Sequence, residues 1–239
     1  MSDGPLCSVK VWGDFACFTR PELKVERVSY PVPTPSAARG VFEAILFKPE
    51  FRWRVREIKV LRPIRYLALR RNEVQGVAST KNVAAAMRGK PFEPLYADDM
   101  DDAGSGRTQR QTLALRDVAY VFIAEPGLFP GTGEDVRKYA EQFKRRVERG
   151  QCFQQPYLGC REFAASFAPP DGDETPWEET RDLGWMLYDI FDLAAKSGRI
   201  LDEKALANVR RLSLFEAKLD GGLLRIPAWD SPAVRRASL

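Results

Sequence analysis

The sequence predicts an α+β protein. Three observations carry this: stretches where apolar and polar residues alternate, two segments with apolar residues at helical spacing, and the order of these stretches along 239 residues. With 44% hydrophobic residues the chain can bury a full core, as one domain with an appendage or as two small domains. It needs no metal or disulfide staple to fold.

The first alternating stretch starts at Val9-Lys10-Val11-Trp12, runs to Phe18 and reads as a strand despite Gly13. After a polar loop, Thr34 supplies an N-cap and Pro35 a first helical position. Ala37, Ala38, Val41, Ala44 and Ile45 then line one helical face before Pro49 stops it. Residues 55–66 alternate Ile58 and Val60 with charges, and residues 113–124 carry the central-strand run Val118, Tyr120, Val121, Phe122, Ile123. Between them, residues 67–112 are too long for a hairpin turn and are expected to project as an insertion. A second helix is predicted over 134–149, with acids in its first turn, arginine in its last and Gly150 beyond. Its core stripe is Val136, Tyr139, Ala140, Phe143 and Val147, beside a stripe of paired charges, Arg137, Glu141, Lys144 and Glu148. Lys138, Arg145 and Arg149 form a third stripe with no acid among them, bordered by Arg146, and are the best local candidates for phosphate contact.

A last strand drawn through 153–163 completes a βαββαβ order, the ferredoxin-like (RRM-like) arrangement shared by RNA-recognition domains. Residues 1–168 would form that domain, with the insertion at about 67–112. Residues 169–239 turn acidic after Pro169-Pro170, then carry apolar stretches at 183–193 and 212–226 around Gly221-Gly222, and read as a β-rich appendage. Fold order alone does not fix function.

Composition removes several function classes. There is no histidine, so Ser-His-Asp, Cys-His and histidine-metal chemistry are excluded, and a general acid or base must be lysine, tyrosine or carboxylate. Cys7, Cys17, Cys152 and Cys160 form no C-x-x-C pair, and the N-terminus lacks the apolar region of a secretory signal, so they are expected to be reduced thiols of a cytoplasmic protein. No run of about 18 apolar residues predicts a membrane span. Walker A, G-x-G-x-x-G and metal-ligand patterns are absent. Asp98, Asp99, Asp101 and Asp102 read as a solvated loop, and neither metal nor cofactor is expected. Gly159-Cys160-Arg161-Glu162-Phe163 by itself reads as a strand edge with an Arg-Glu pair. The net charge of +4 is segregated, with basic stretches at 52–71 and 137–149 and an acidic one at 171–192. Basic stretches interleaved with Trp53, Tyr66, Tyr139 and Phe143 suit a polyanion whose bases stack on aromatics, or equally an ordinary solvated face over a core.

Ordered blocks carry a family resemblance. They are Val11-Trp12-Gly13-Asp14-Phe15-Ala16-Cys17-Phe18-Thr19-Arg20-Pro21, Lys24 to Tyr30, Thr34 to Gly40, Leu61-Arg62-Pro63-Ile64, Arg70-Arg71-Asn72-Glu73-Val74 and Phe153 to Phe163, with Arg181-Asp182-Leu183-Gly184 a weaker addition. Over residues 9–165 they resemble type I-C Cas-five proteins of CRISPR interference (Cascade) complexes. The resemblance implies a ferredoxin-like domain with a thumb-like insertion and a role in holding the repeat-derived 5′ handle of crRNA. It also implies partners: crRNA, the Cascade backbone and large subunits, and through them target DNA. Positions matching the RNA-facing blocks are Arg20, Lys24, Arg27, Ser29, Arg39, Arg70 and Arg71. Family members of this type also cut precursor RNA without metal, using a Lys-His pair at the start of the second helix and an aromatic or histidine near the end of the first. Lys138-Tyr139 and Leu46 stand at those places here.

Two readings follow. The favoured one is an RNA-binding assembly subunit that contacts phosphate through Lys138 and Arg145, with Tyr139 stacking on a base or packing on Phe143. The other is a metal-independent endoribonuclease in which Lys138 stabilises the transition state and Tyr139 replaces histidine. An RNA-binding module outside CRISPR is a distant third.

Overall fold

The computed structural model of the chain describes residues 4–23, 25–74, 79–91, 107–191, 193 and 210–236. Strand β1 spans Cys7–Ala16, β2 Arg27–Val28, β3 Phe51–Val60, β4 Tyr66–Val74 and β5 Arg107–Leu128. Strands β6 (Ser166–Ala168), β7 (Arg181–Phe191), β8 (Arg210–Asp220), β9 (Leu223–Arg225) and β10 (Val234–Arg236) follow. Among the described residues three helices intervene: α1 (Pro35–Ile45), α2 (Thr80–Ala86) and α3 (Val136–Glu148). All the strands join one sheet in the order β10-β8-β9-β3-β5-β1-β6, with β2 and β4 also on β5 and β7 on β8.

Neighbours within β3-β5-β1-β6 are antiparallel. Helix α1 leads from β1 toward β3 and α3 from β5 to β6. Both helices cover one face, because Phe42 of α1, Phe143 of α3 and Trp53 of β3 meet with ring centroids 4.8 to 4.9 Å apart. Such rings bury large apolar areas and fix how the two helices lie on the sheet. Helix α1 starts where the sequence predicts, with Thr34 Oγ1 accepting from the Ala37 N–H at 3.2 Å and Pro35 next. It ends at Ile45, whose carbonyl accepts from Arg146 Nη1 of α3 at 2.6 Å, so an orphan helix-end oxygen is satisfied across the helix pair. Helix α3 is capped by Asp135, which accepts from the Arg137 N–H at 2.9 Å, and buries Tyr139, Phe143 and Val147.

Strand β5 is 22 residues long because it serves two partnerships. Its C-terminal half lies between β1 and β3, and its N-terminal half pairs with β4 over Tyr66↔Leu115 to Val74↔Arg107. The predicted insertion therefore consists, where described, of two arms of a long ribbon with α2 between them. Gly104-Ser105-Gly106 and the acidic cluster Asp98 to Asp102 lie outside the described residues. Strands β7 to β10 form the β-rich C-terminal part, and β9 attaches it to β3 through Glu57↔Arg225 to Lys59↔Leu223.

The strand predicted over 153–163 is not formed. Pro156 has no N–H to donate and Gly159 adopts φ +85°, so the segment turns back on itself. Leu158 N–H bonds to the Phe163 carbonyl at 2.9 Å and the Leu158 carbonyl accepts from Cys17 N–H at 3.0 Å. The strand that pairs with β1 is β6, five residues beyond Arg161. Among the described residues no helix is long and apolar enough to cross a membrane.

Candidate nucleic-acid interface

Antiparallel register decides which side chains of the β4-β5 ribbon share a face. Arg70 lies opposite Gln111, Asn72 opposite Gln109 and Val74 opposite Arg107. All six are exposed and none of them is acidic; at the ribbon's edge the exposed Glu26 accepts from the Gln111 N–H at 2.7 Å. Tyr66 stands at its base, 39% exposed. Arginine and amide donors on an open ribbon suit phosphate and base edges, and an exposed tyrosine suits stacking.

The opposite face of the ribbon is an ionic network. Arg71 and Arg27 converge on Glu162, Arg71 in a direct ion pair and Arg27 Nη1 at 3.4 Å. Arg71 Nη2 also donates to Thr112 Oγ1 at 3.0 Å, and Glu73 lies between Arg71 at 3.8 Å and Arg110 at 3.4 Å. Burial opposes ionisation of Glu162, but its backbone N–H, Arg71 and Arg27 together hold its carboxyl below the usual carboxylate range. Glu162 thus pairs with two remote arginines and not with the adjacent Arg161 of the predicted pair.

The other predicted positions are spread out. Arg20 lies over the Tyr30 ring, 4.7 Å from its centroid, and 3.8 Å from Glu22. Lys24 lies outside the described residues. Ser29 is 1% exposed; its Oγ accepts from the Phe18 N–H at 2.9 Å and donates to the Tyr30 carbonyl at 2.7 Å, so its hydrogen bonds are made inside the fold. Arg39 joins α1 to β7: Nε and Nη2 donate to Asp189 at 2.9 and 3.1 Å, and Nη1 to Glu43 at 2.6 Å. Asp189 is buried and requires that counter-charge, which gives Arg39 a structural task facing inward.

On α3 the surface is different. Lys48, Glu50, Lys138, Tyr139, Glu141, Gln142 and Arg145 line an open cleft of about 670 Å³. Lys138 is ion-paired with Glu134, so the stripe Lys138, Arg145, Arg149 is not free of acid partners, as the sequence suggests; Arg145 and Arg149 are exposed. The bond to Glu134 raises the Lys138 pKa, and its ammonium sits 4.8 Å from the Tyr139 ring centroid. Tyr139 packs on Phe51, with centroids 4.6 Å apart, while Phe143 stacks on Phe42. Burial raises the Tyr139 pKa and the nearby Glu50 carboxylate raises it further. Glu50 Oε2 is buried with no hydrogen-bond partner among the described residues. Leu46 is fully buried as the C-cap of α1. Lys48, Glu50 and Gln142 are missed by sequence reasoning, since nothing local marks the loop after α1 as facing α3. Gln109 and Gln111 are missed because amides in a polar ribbon give no pattern.

A mixed α/β fold with one large, mostly antiparallel sheet is shared with two solved structures. One, a CRISPR-associated protein, superposes with a TM-score of 0.65 at 20% identity, covering 98% of each chain. A functionally uncharacterized protein from Streptococcus mutans gives 0.61 at 18% identity, covering 98% of this chain and 99% of that one. Residues 8–227 match the family described as CRISPR-associated protein (Cas_Cas5). The chain is 51% identical over 225 residues to the CRISPR pre-crRNA endoribonuclease Cas5d of Thermus thermophilus, covering 92% of this chain and 90% of the relative. It is 43% identical over 235 residues to the protein of the same name from Mannheimia succiniciproducens, covering 95% and 96%. The chain belongs to the CRISPR-associated Cas5 family, in its type I-C branch, Cas5d.

Proposed function

We propose that this chain holds the repeat-derived 5′ handle of crRNA in a type I-C Cascade complex, alongside the backbone and large subunits that engage target DNA. The observation that carries this reading is the exposed face of the β4-β5 ribbon, where two arginines, Arg70 and Arg107, and three amides, Asn72, Gln109 and Gln111, stand together. Arg20, Arg27 and Arg71 flank the ribbon as auxiliary contacts, and Arg145 and Arg149 offer cations on α3. Ser29 and Arg39 act by shaping the fold. We further propose that β1-α1-β3-β5-α3-β6 forms a ferredoxin-like domain within residues 1–168, with 169–239 as the appendage.

The test is binding of the purified chain to its cognate repeat RNA across a salt series. Arg70→Ala should weaken binding and lower the slope of log affinity against log salt by about 1. An unchanged affinity and slope would remove the ribbon from the interface.

A second reading, metal-independent cleavage of precursor crRNA, is favoured by the name of the two relatives and by the unpaired Glu50 oxygen beside Lys138 and Tyr139. In that chemistry the ribose 2′-hydroxyl attacks its own phosphate and the 5′ oxygen leaves, giving a 2′,3′-cyclic phosphate. Glu50 would accept the hydroxyl proton, Lys138 would meet the developing negative charge, and Tyr139, kept protonated by its raised pKa, would donate to the leaving oxygen. Repeat RNA incubated in EDTA discriminates: a single cut lost in Lys138→Ala and Glu50→Gln supports cleavage, and tight binding without a cut refutes it.

A further inference from the structure

The loop 156–165 carries a thiol that neither reading uses. Cys160 sits in a small apolar cluster with Cys17, Ala114 and Phe163, at the C-terminal end of β1. Gly159 brings the two cysteines together: a Cβ there would lie 2.1 Å from the Cys17 carbonyl oxygen, so only glycine allows this backbone approach. Cys160 Sγ reaches the Cys17 carbonyl at 3.7 Å, and Cys17 Sγ lies 3.6 Å from Thr19 Oγ1. Arg27 Nη1 approaches Cys160 Sγ at 3.3 Å. A buried sulfur with a guanidinium at 3.3 Å and a second cysteine in the same small cluster matches the surroundings of a reactive dithiol.

We propose that Cys160 and Cys17 are a peroxide-reactive dithiol, with Cys160 as the attacking thiolate and Cys17 as the resolving thiol. The Cys160 sulfur attacks one oxygen of a hydroperoxide, the O–O bond breaks, and the product is a sulfenic acid with water or an alcohol released. The Cys17 sulfur then attacks the Cys160 sulfur, its proton leaves with the hydroxyl as water, and an S–S bond forms. In sum two thiols lose two hydrogen atoms, and hydrogen peroxide becomes two molecules of water, or an organic hydroperoxide one alcohol and one water. The division of roles follows from the surroundings. The neighbouring Cys17 thiol, helped by Arg27 and opposed by burial and by Glu162, lowers the Cys160 pKa to about 6. The same neighbourhood, together with burial, pushes Cys17 upward, so it stays protonated until Cys160 has been oxidised. Cys7 has no such neighbour and burial alone raises its pKa to about 12.

The chain supplies its own controls, because Cys152 is exposed and Cys7 is buried. The full chain, reduced, desalted and treated with stoichiometric hydrogen peroxide, is digested without reductant and mapped by mass spectrometry. The expected product is a linked pair of peptides holding Cys17 and Cys160, two hydrogens lighter than their sum, formed before Cys152 is modified. Oxidation of Cys152 with Cys17 and Cys160 still recovered as thiols would overturn the proposal. In Cys17→Ser, dimedone should capture a sulfenic acid at Cys160; capture only at Cys152 would count against the assignment of the attacking sulfur. Arg27→Gln should slow linkage by roughly threefold to tenfold, and Arg27→Lys should restore part of the rate, since thiolate reactivity follows the local positive charge. A rate unchanged in Arg27→Gln would remove Arg27 from the mechanism. The primary measurement uses the unmodified sequence, so an unstable variant does not decide it.

Discussion

Replacing Arg39 with alanine separates a structural arginine from an RNA-binding one. The Arg39 side chain is 11% exposed and that of its partner Asp189 1%. Two guanidinium donors meet the Asp189 carboxylate at 2.9 and 3.1 Å, and a third meets Glu43 at 2.6 Å. Asp189 keeps a hydrogen bond from the Ile190 N–H at 2.8 Å, which softens the loss. Removing one partner of a buried pair costs about 3–5 kcal/mol, because the remaining charge stays desolvated. Arg39→Ala should therefore lose about that much in urea unfolding, read from the midpoint at unchanged m-value. Arg39→Met with Asp189→Leu should recover most of it, since both charges are then gone and the volume is kept. The salt slope of RNA binding should stay that of the parent. A destabilisation under about 1 kcal/mol, the range of an exposed pair, together with weakened RNA binding would refute this placement.

Three further outcomes are expected. Phe143→Ala should lower unfolding free energy by about 3–5 kcal/mol in the same assay, because it empties the centre of the Phe42, Trp53, Phe143 cluster. Gly159→Ala should be destabilised and should disturb the loop, read as faster proteolysis near Cys160, because the added Cβ meets the Cys17 carbonyl at a φ of +85°. Glu162 has a depressed pKa when folded, so its contribution is present above the ordinary value of 4.5 and is lost as pH falls below it toward the folded pKa; in Glu162→Gln the acid-side decline in stability should be shallower than in the parent.

The helices were legible because their signals are local. Thr34-Pro35 caps α1 within its own turn, and the apolar face of α3 repeats at helical spacing into the ring cluster. Phe42, absent from the predicted face, is nonetheless fully buried, since α1 has α3 against it as well as the sheet. The ribbon arms were read only as a projecting insertion because the half-buried face of the ribbon is built largely from Arg71, Glu73, Arg110 and Thr112, which give no apolar alternation to detect. In the segment 153–163 the apolar residues imitate a strand, but Phe163 and Cys160 fill a separate small cluster with Cys17 and Ala114. Turn chemistry at Pro156 and Gly159 overrides the pattern there.

Surface chemistry was harder to read than fold, because an arginine's role depends on what lies opposite it. Arg39 and Arg70 both stand in basic blocks and look alike in the sequence. One finds Asp189, 150 residues away, and is drawn into the structure. The other finds Gln111 across the β4-β5 ladder and remains at the surface. Arg27 and Arg71 are intermediate, since Glu162 occupies them and RNA would have to compete with that carboxylate for both. If the handle lies along the ribbon, Arg70 should then contribute more to binding than Arg71 although the two are adjacent, because a strand sends neighbours to opposite faces. Comparing Arg70→Ala with Arg71→Ala in one salt series checks this directly, and equal losses would place RNA on both faces.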